Sequence, residues 1–224
     1  MTLQLIIGNK NYSSWSMRPW LLLRHFEIPF SELSLSLSSD RFDQTIGQYS
    51  AAGKVPVLLD NGIIIWDSLA ICEYINEQYL AGRAYPKEVA ARAICRSACA
   101  EMHSSFSLIR SQMPLNCRAR KHISFGVDLQ HEIRRIDTLW QQLRKTSRNQ
   151  GEWLFGQFSI ADAMFAPMAS RFDSYQPVLS ETSQQYIQNI LQHPDVKDWY
   201  QQSRQETEII AQSEVGERVQ HSHG

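Results

Sequence analysis

The first eighty residues switch repeatedly between two periodicities. Leu3-Gln4-Leu5-Ile6-Ile7 reads as extended chain, Trp15–Phe26 carries apolar residues at helical spacing, and Phe30–Leu37 alternates apolar with polar. After a loop, Val57–Leu59 and Ile63–Ile65 predict two strands joined through Asp60-Asn61-Gly62, a hairpin signal because Asn-Gly tolerates the positive φ of a tight turn. Leu69, Ile71, Cys72 and Ile75 then return to helical spacing, and that helix runs to about Tyr79. The order is a βαβ unit followed by ββα. Ala81-Gly82-Arg83-Ala84-Tyr85-Pro86 concentrates breaker residues and reads as a linker over 81–86. Beyond it strand signals cease. Helical periodicity covers Lys87–Met113, Asp128–Leu143, Ile160–Phe172 and Thr182–Leu191, with a last helix after Pro194. The pattern predicts an α/β domain over 1–80, an all-helical domain over 87–212, and a polar, loosely held tail over 213–224.

Two stretches carry candidate chemistry. Lys54-Val55-Pro56 leads into a strand through a proline, which withholds a backbone donor. With a cis bond there, the Val55 N–H and C=O face outward and can pair with an extended ligand as an added strand would. Asp67-Ser68 opens the next helix, so first-turn N–H groups, a hydroxyl and a carboxylate share one helix start. That set suits an amino acid head group: the helix N-terminus and Ser68 take its carboxylate, and Asp67 takes its ammonium. The second stretch is the turn Asn11-Tyr12-Ser13-Ser14-Trp15 between the first strand and first helix. A thiol with an ordinary pKa of about 8.5 needs help to ionise at neutral pH, and a hydroxyl donor at a helix N-terminus supplies it. Each feature also has a purely structural use, because serine and aspartate before a helix act as N-caps worth about 1 kcal/mol.

Val55-Pro56, then Asp67-Ser68-Leu69-Ala70-Ile71, then Ser159-Ile160-Ala161-Asp162 much later, is a specific combination, and over nearly the whole chain it resembles the glutathione S-transferase superfamily. The resemblance implies a thioredoxin-like N-terminal domain, an all-helical C-terminal domain, and glutathione as co-substrate. By position, Val55 with Pro56 would pair with the cysteinyl backbone of glutathione, Asp67 and Ser68 would hold its γ-glutamyl end, and Lys54 could reach the glycyl carboxylate. Arg18 aligns with the arginine of the zeta-class Ser-Ser-Cys-x-x-Arg turn, which puts that class's catalytic serine at Ser13, its neighbour at Ser14, and Trp15 in the cysteine position. The absent cysteine argues against the thiol-disulfide chemistry of the omega and beta classes. Tyr12 and Ser14 stay open as alternative donors to the sulfur.

The implied reaction is attack of an enzyme-stabilised glutathione thiolate on a small hydrophobic electrophile, a detoxifying transfer of alkyl or aryl groups, with Met102, Phe106, Met113, Phe165 and Arg171 around the co-substrate. Two alternatives stand beside it. A maleylacetoacetate or maleylpyruvate type of cis-trans isomerase would use the same thiolate and need cations for a dicarboxylate, for which Arg18, Arg110, Arg118 and Arg171 are available. A non-catalytic binding protein is the other. The resemblance further implies a homodimer formed across both domains.

Composition restricts the choice further. The chain has 224 residues and a formal net charge of −1 with both signs interspersed, so there is no broad basic face for nucleic acid. Cys72, Cys95, Cys99 and Cys117 lack CxxC spacing and lie in apolar helical patterns, as reduced core thiols of a cytoplasmic protein do. No stretch has the pattern of a signal peptide or the ~20 apolar residues of a membrane span. His221 and His223 have no third ligand at useful spacing, so no metal is expected. Ser159 and Asp162 have the spacing of a capping box, a folding device. His103 reads as a core or wall residue, and Arg110, Asn116 and Arg118 read as solvated residues near the mouth of the cleft.

Overall fold

Strand β1 (Gln4–Gly8) buries Leu5, Ile6 and Ile7 completely because it lies inside the sheet, with apolar layers on both faces. The computed structural model describes residues 3–147 and 151–218. The main sheet runs β2-β1-β3-β4, with β2 (Ser31–Leu35) parallel to β1, β3 (Val57–Asp60) antiparallel to β1, and β4 (Ile63–Trp66) closing the hairpin. A parallel pair needs a crossover, here made by α1 (Ser14–His25). The stretch read as a loop contains a short helix, α2 (Phe42–Ile46), whose Ile46 packs with Ile6 and Val57. Helix α3 (Ser68–Gln78) completes the predicted ββα half.

The remainder is helical: α4 (Val89–Ser104), α5 (Ser107–Gln112), α6 (Val127–Ser147), α7 (Ile160–Tyr175), α8 (Glu181–Gln192) and α9 (Pro194–Gln205). The single helix expected over Lys87–Met113 is two. The break falls at Phe106, which has φ 64 in the left-handed region, and α6 supplies the cap: Glu132 accepts the Leu108 and Ile109 N–H groups at 3.3 and 2.9 Å. Strand pairing also reappears beyond the linker, as Lys121–His122 (β5) pairs antiparallel with Glu217–Arg218 (β6). The segment read as a loose tail is therefore tied down through Arg218. Glu214 accepts from Tyr12 Oη, Asn116 Nδ2 and Lys121 Nζ, each at 2.8 Å. His221 and His223 lie outside the described residues.

Helix α7 is the axis of the molecule. Almost every residue of it is buried, and it packs against α1, α4 and α8, joining the sheet half to the helical half. A helix buried at its start must satisfy its first N–H groups inside the protein. The expected capping box is present between Ser159 and Asp162. Asp162 is fully buried and accepts four hydrogen bonds, from the Leu154 and Ser159 N–H groups at 3.0 and 2.9 Å, Ser159 Oγ at 2.9 Å and Tyr186 Oη at 3.1 Å. Burial raises its pKa to about 6 against the pull of these donors, so at pH 7 it is ionised. Asp162→Ala strands four buried donors at once, and chemical denaturation is expected to show a loss of about 2–4 kcal/mol.

His25 and His193 meet between α1 and the start of α9, His25 Nδ1 lying 3.0 Å from His193 Nε2. The Asp195 N–H donates to His193 Nδ1 at 3.2 Å, which makes that nitrogen an acceptor and places the His193 proton on Nε2, pointing at His25. A carboxylate oxygen of Asp195 completes a group of three possible ligand atoms, all within 4.8 Å of one another, close enough to share a metal ion. Burial, then the neighbouring His193, lowers the His25 pKa from 6.5 to about 4. Between those values the unfolded chain binds the proton and the folded chain does not, so stability falls as pH drops through that window. His25→Asn, which keeps an acceptor at the Nδ1 position, should therefore lose less melting temperature than the parent when the pH is lowered through this range.

Candidate functional site

Two elements that start next to each other in space bring the charged pair and the proline segment together. Val55 stands outside the β3 ladder, joined to buried Pro56 by a cis peptide bond. Antiparallel pairing sets Val57 against Trp66, so the chain leaves β4 directly beside Val55 and turns into α3. At that turn Asp67 adopts φ 75, and its Oδ1 caps α3 by accepting the Leu69 and Ala70 N–H groups at 2.9 and 3.2 Å. The result is a cavity of about 340 Å³ that includes Lys54, Val55, Pro56, Asp67 and Ser68 in its lining. Trp15, Trp66 and His103 complete much of the wall.

Ser68 is buried, and its oxygen accepts from Arg18 Nη1 at 3.2 Å, which leaves the hydroxyl proton free to donate. Asp67 Oδ2 faces His103 Nε2 at 3.1 Å. Burial lowers the His103 pKa, with Arg18 and Arg110 adding to the effect and Asp67 opposing it. His103 is thus a cavity residue held to the acid of the site, a placement that mid-helix spacing alone could not reveal.

The serines take different positions. Ser13 is the N-cap of α1: its oxygen accepts the Ser16 N–H at 3.4 Å and its proton goes to Ser16 Oγ at 2.7 Å. Ser14 begins the helix, and its oxygen accepts from Arg171 Nη2 at 3.0 Å, leaving its proton uncommitted. Both are buried, and neither belongs to the cavity lining given above. Tyr12 turns the other way, donating to Glu214 and accepting from Arg118 Nη2 at 2.9 Å. Asn116, read as a solvated mouth residue, is buried and bonded to Asn11 and Glu214. Arg118 is likewise engaged, with the backbone oxygens of Glu206 and Glu208.

The residues expected to form the apolar wall lie below the surface. Met102, Phe106, Met113 and Phe165 are all buried in the main hydrophobic cluster, and Phe165 packs edge-on against Trp140 with ring centroids 5.8 Å apart. Large apolar residues at helical spacing look alike whether they line a cleft or a core.

Behind Trp15 lies a concentration of positive charge. The Arg18 guanidinium stacks 4.2 Å from the Trp15 ring, and that of Arg110 lies 5.5 Å from the same ring. Arg18 and Arg171 are almost completely buried, and among the described residues neither forms an ion pair, each leaving its Nε without a hydrogen-bond partner. Burial, then the neighbouring Arg171, lowers Arg18 to about 9, and burial, then the neighbouring Arg110, lowers Arg171 to about 10, so both stay cationic at neutral pH.

The four cysteines are free and buried. Among the described residues no helix is long and apolar enough to cross a membrane.

Comparison with known proteins identifies the family. Residues 12–78 match the family described as glutathione S-transferase, N-terminal domain, and residues 125–202 match its C-terminal domain. A Caenorhabditis elegans protein named probable maleylacetoacetate isomerase is 26% identical over 194 residues, 81% of this chain and 88% of that protein. Among solved structures, a Burkholderia glutathione transferase homologue with bound glutathione superposes with TM-score 0.71 at 22% identity, covering 91% of this chain and 99% of that one. A diazinon-metabolizing glutathione S-transferase of the silkworm Bombyx mori gives TM-score 0.72 at 16% identity, over 91% and 98% of the two chains. With both of its halves matched in order on a shared fold, the chain belongs to the glutathione S-transferase superfamily.

Proposed function

We propose that this protein binds glutathione in the Val55–Asp67–Ser68 cavity and uses the bound thiolate as a nucleophile towards a small electrophile. The observation that carries the reading is the convergence of Val55, Asp67 and Ser68 on one cavity of about 340 Å³. Val55 offers backbone pairing to the cysteinyl unit, the Ser68 proton and the Arg18 charge behind it suit the γ-glutamyl carboxylate, and Asp67 suits the ammonium. Lys54, exposed at the rim, is available to the glycyl carboxylate.

For the sulfur, the hydrogen bonds favour Ser14 over Ser13. The Ser13 proton is committed to Ser16, while the Arg171 guanidinium holds the Ser14 oxygen and leaves its proton to donate. A guanidinium on the oxygen makes the hydroxyl a stronger donor, and the α1 N-terminus adds to the stabilisation of a thiolate. Ser14 itself does not line the cavity, whereas its neighbour Trp15 does. The exposed apolar residues Ile63, Ile64 and Trp66 on β4 and Val89 and Ile94 on α4 fit a second copy, giving a homodimer, and the buried thiols fit a reducing cytoplasm.

The arginine cluster favours a more specific second reading, in which the co-substrate carries a carboxylate. A buried guanidinium without a counter-charge is costly; among the described residues Arg18 and Arg171 are both such groups, and Arg110 shares their neighbourhood beside the cavity. That is the requirement of the isomerase chemistry named for the Caenorhabditis elegans relative, whereas an electrophile without charge would give Arg110 no anion to meet.

Isothermal titration with glutathione tests the binding site. Asp67→Asn keeps an acceptor for the α3 cap and removes the charge, and should weaken glutathione by about 1.5–3 kcal/mol. Equal affinity in variant and parent would move the ligand elsewhere. In the glutathione complex, Ser14→Ala should raise the pH midpoint of thiolate absorbance by about one unit, some 1.4 kcal/mol, while Ser13→Ala lowers the melting temperature and leaves the midpoint in place. For the co-substrate, Arg110→Gln should reduce kcat/KM towards a maleyl keto acid about tenfold or more and change turnover of an uncharged aryl halide less than twofold. A parallel loss with both substrates would assign Arg110 to structure instead.

A further inference from the structure

Lined by none of the residues of the glutathione cavity, a second cavity of about 360 Å³ gathers four arginines and one aspartate among its nine lining residues. Four separate segments converge on it. Arg118 and Arg120 come from the loop before β5, Asp173 from the last turn of α7, Tyr200 and Arg204 from α9, and Arg218 from β6. The β5–β6 ribbon makes the arrangement possible, because its register sets Lys121 opposite Arg218 and so brings the end of the chain beside Arg120.

The cations are unevenly employed. Arg118 is fixed by three neutral acceptors, the backbone oxygens of Glu206 and Glu208 and the hydroxyl of Tyr12, none of which cancels its charge. Arg120 pairs with Asp173, the one carboxylate in the lining. Among the described residues, Arg204 and Arg218 form no ion pair and no side-chain hydrogen bond, although both border the cavity. Two guanidiniums are thus held in place, two are free to close on a ligand, and a net of three positive charges faces a concave space.

We infer that this cavity is a binding site for a small phosphate-bearing molecule, separate from the glutathione site. Guanidinium forks match phosphate oxygens bidentately, and a diphosphate group carries about three negative charges near neutral pH, the charge the cavity lacks. The volume lies at the low end of ligand cavities, about 300–1,000 Å³, which suits a compact anion and excludes a polymer lying across a flat surface.

Isothermal titration of the full chain with inorganic pyrophosphate, at constant ionic strength, tests this. One equivalent should bind saturably, and the double variant Arg204→Gln/Arg218→Gln should weaken binding at least tenfold, while Arg134→Gln, at an exposed arginine elsewhere, leaves it unchanged. Because Arg204 and Arg218 are exposed and hold no partners, the variant should melt with the parent. Glutathione titrated into the same samples should bind all three proteins alike, which separates this site from the first. Absence of saturable pyrophosphate binding, equal affinity in the double variant, or an equal loss with Arg134→Gln would each overturn the assignment.

Discussion

The constraint on which the rest depends is that α7 starts inside the protein. Its first turn cannot reach water, so the Asp162 carboxylate and the Ser159 hydroxyl do what solvent does elsewhere. The same carboxylate also holds the Leu154 N–H and the Tyr186 hydroxyl, which ties the turn before α7 to α8 as well as to its own helix. An anion is tolerated there because four donors replace its hydration. With the start of α7 fixed, its far end is fixed too, and that end carries Arg171 against Ser14 of the sheet half. A folding device at one end of the helix thus sets the position of a charge at the other.

The charge distribution around the first cavity is unbalanced in a way that stability alone would not favour. Arg18 and Arg171 are desolvated, repel one another, and find a hydroxyl or a carbonyl where an isolated fold would supply a carboxylate. Trp15 relieves part of the cost by presenting its ring face to Arg18, an attraction that strengthens as water is removed. An aromatic residue in that position has a physical logic which a cysteine would not share. A small thiol could not cover a guanidinium, and the cation would then lie open to the cleft.

Much of this architecture was legible in the sequence, and the reasons for the misses differ from residue to residue. Strands β1, β3 and β4 and helices α1 and α3 have strong periodicity over enough residues to be read directly, and Asp67-Ser68 follows a hairpin whose geometry is local. The Ser159–Asp162 capping box is likewise a contact between near neighbours. The break at Phe106 was hidden because its cap, Glu132, comes from a different helix. The β5–β6 ribbon joins residues almost a hundred positions apart with two residues per strand, too short for any periodic signal. Phe165 and His103 show the limit on sites. Both lie on helices among apolar residues, and only the packing of those helices decides that the first is core and the second faces Asp67.

Long-range contacts also explain why the turn carrying Ser13 and Ser14 is rigid. Its backbone N–H groups at Lys10 and Asn11 are received by the two oxygens of Glu206 at 2.6 and 3.0 Å, and Asn9 donates to Glu208 at 2.6 Å. Tyr12, the next residue of the turn, donates to Glu214. Three glutamates of the segment after α9 therefore grip four consecutive residues of the β1–α1 turn. Lys10 is buried in the same region, bonded to Glu32 and Gln202 and lying 5.1 and 5.5 Å from the ring centres of Trp20 and Trp199. Within the turn the Tyr12 and Ser13 N–H groups both return to the Asn9 carbonyl, which leaves the Lys10 and Asn11 N–H groups for Glu206. Held from outside by carboxylates, the turn loses the freedom that would otherwise blur the direction of a hydroxyl. The chain's last described residues thus act on its first functional ones, although nearly two hundred positions separate them.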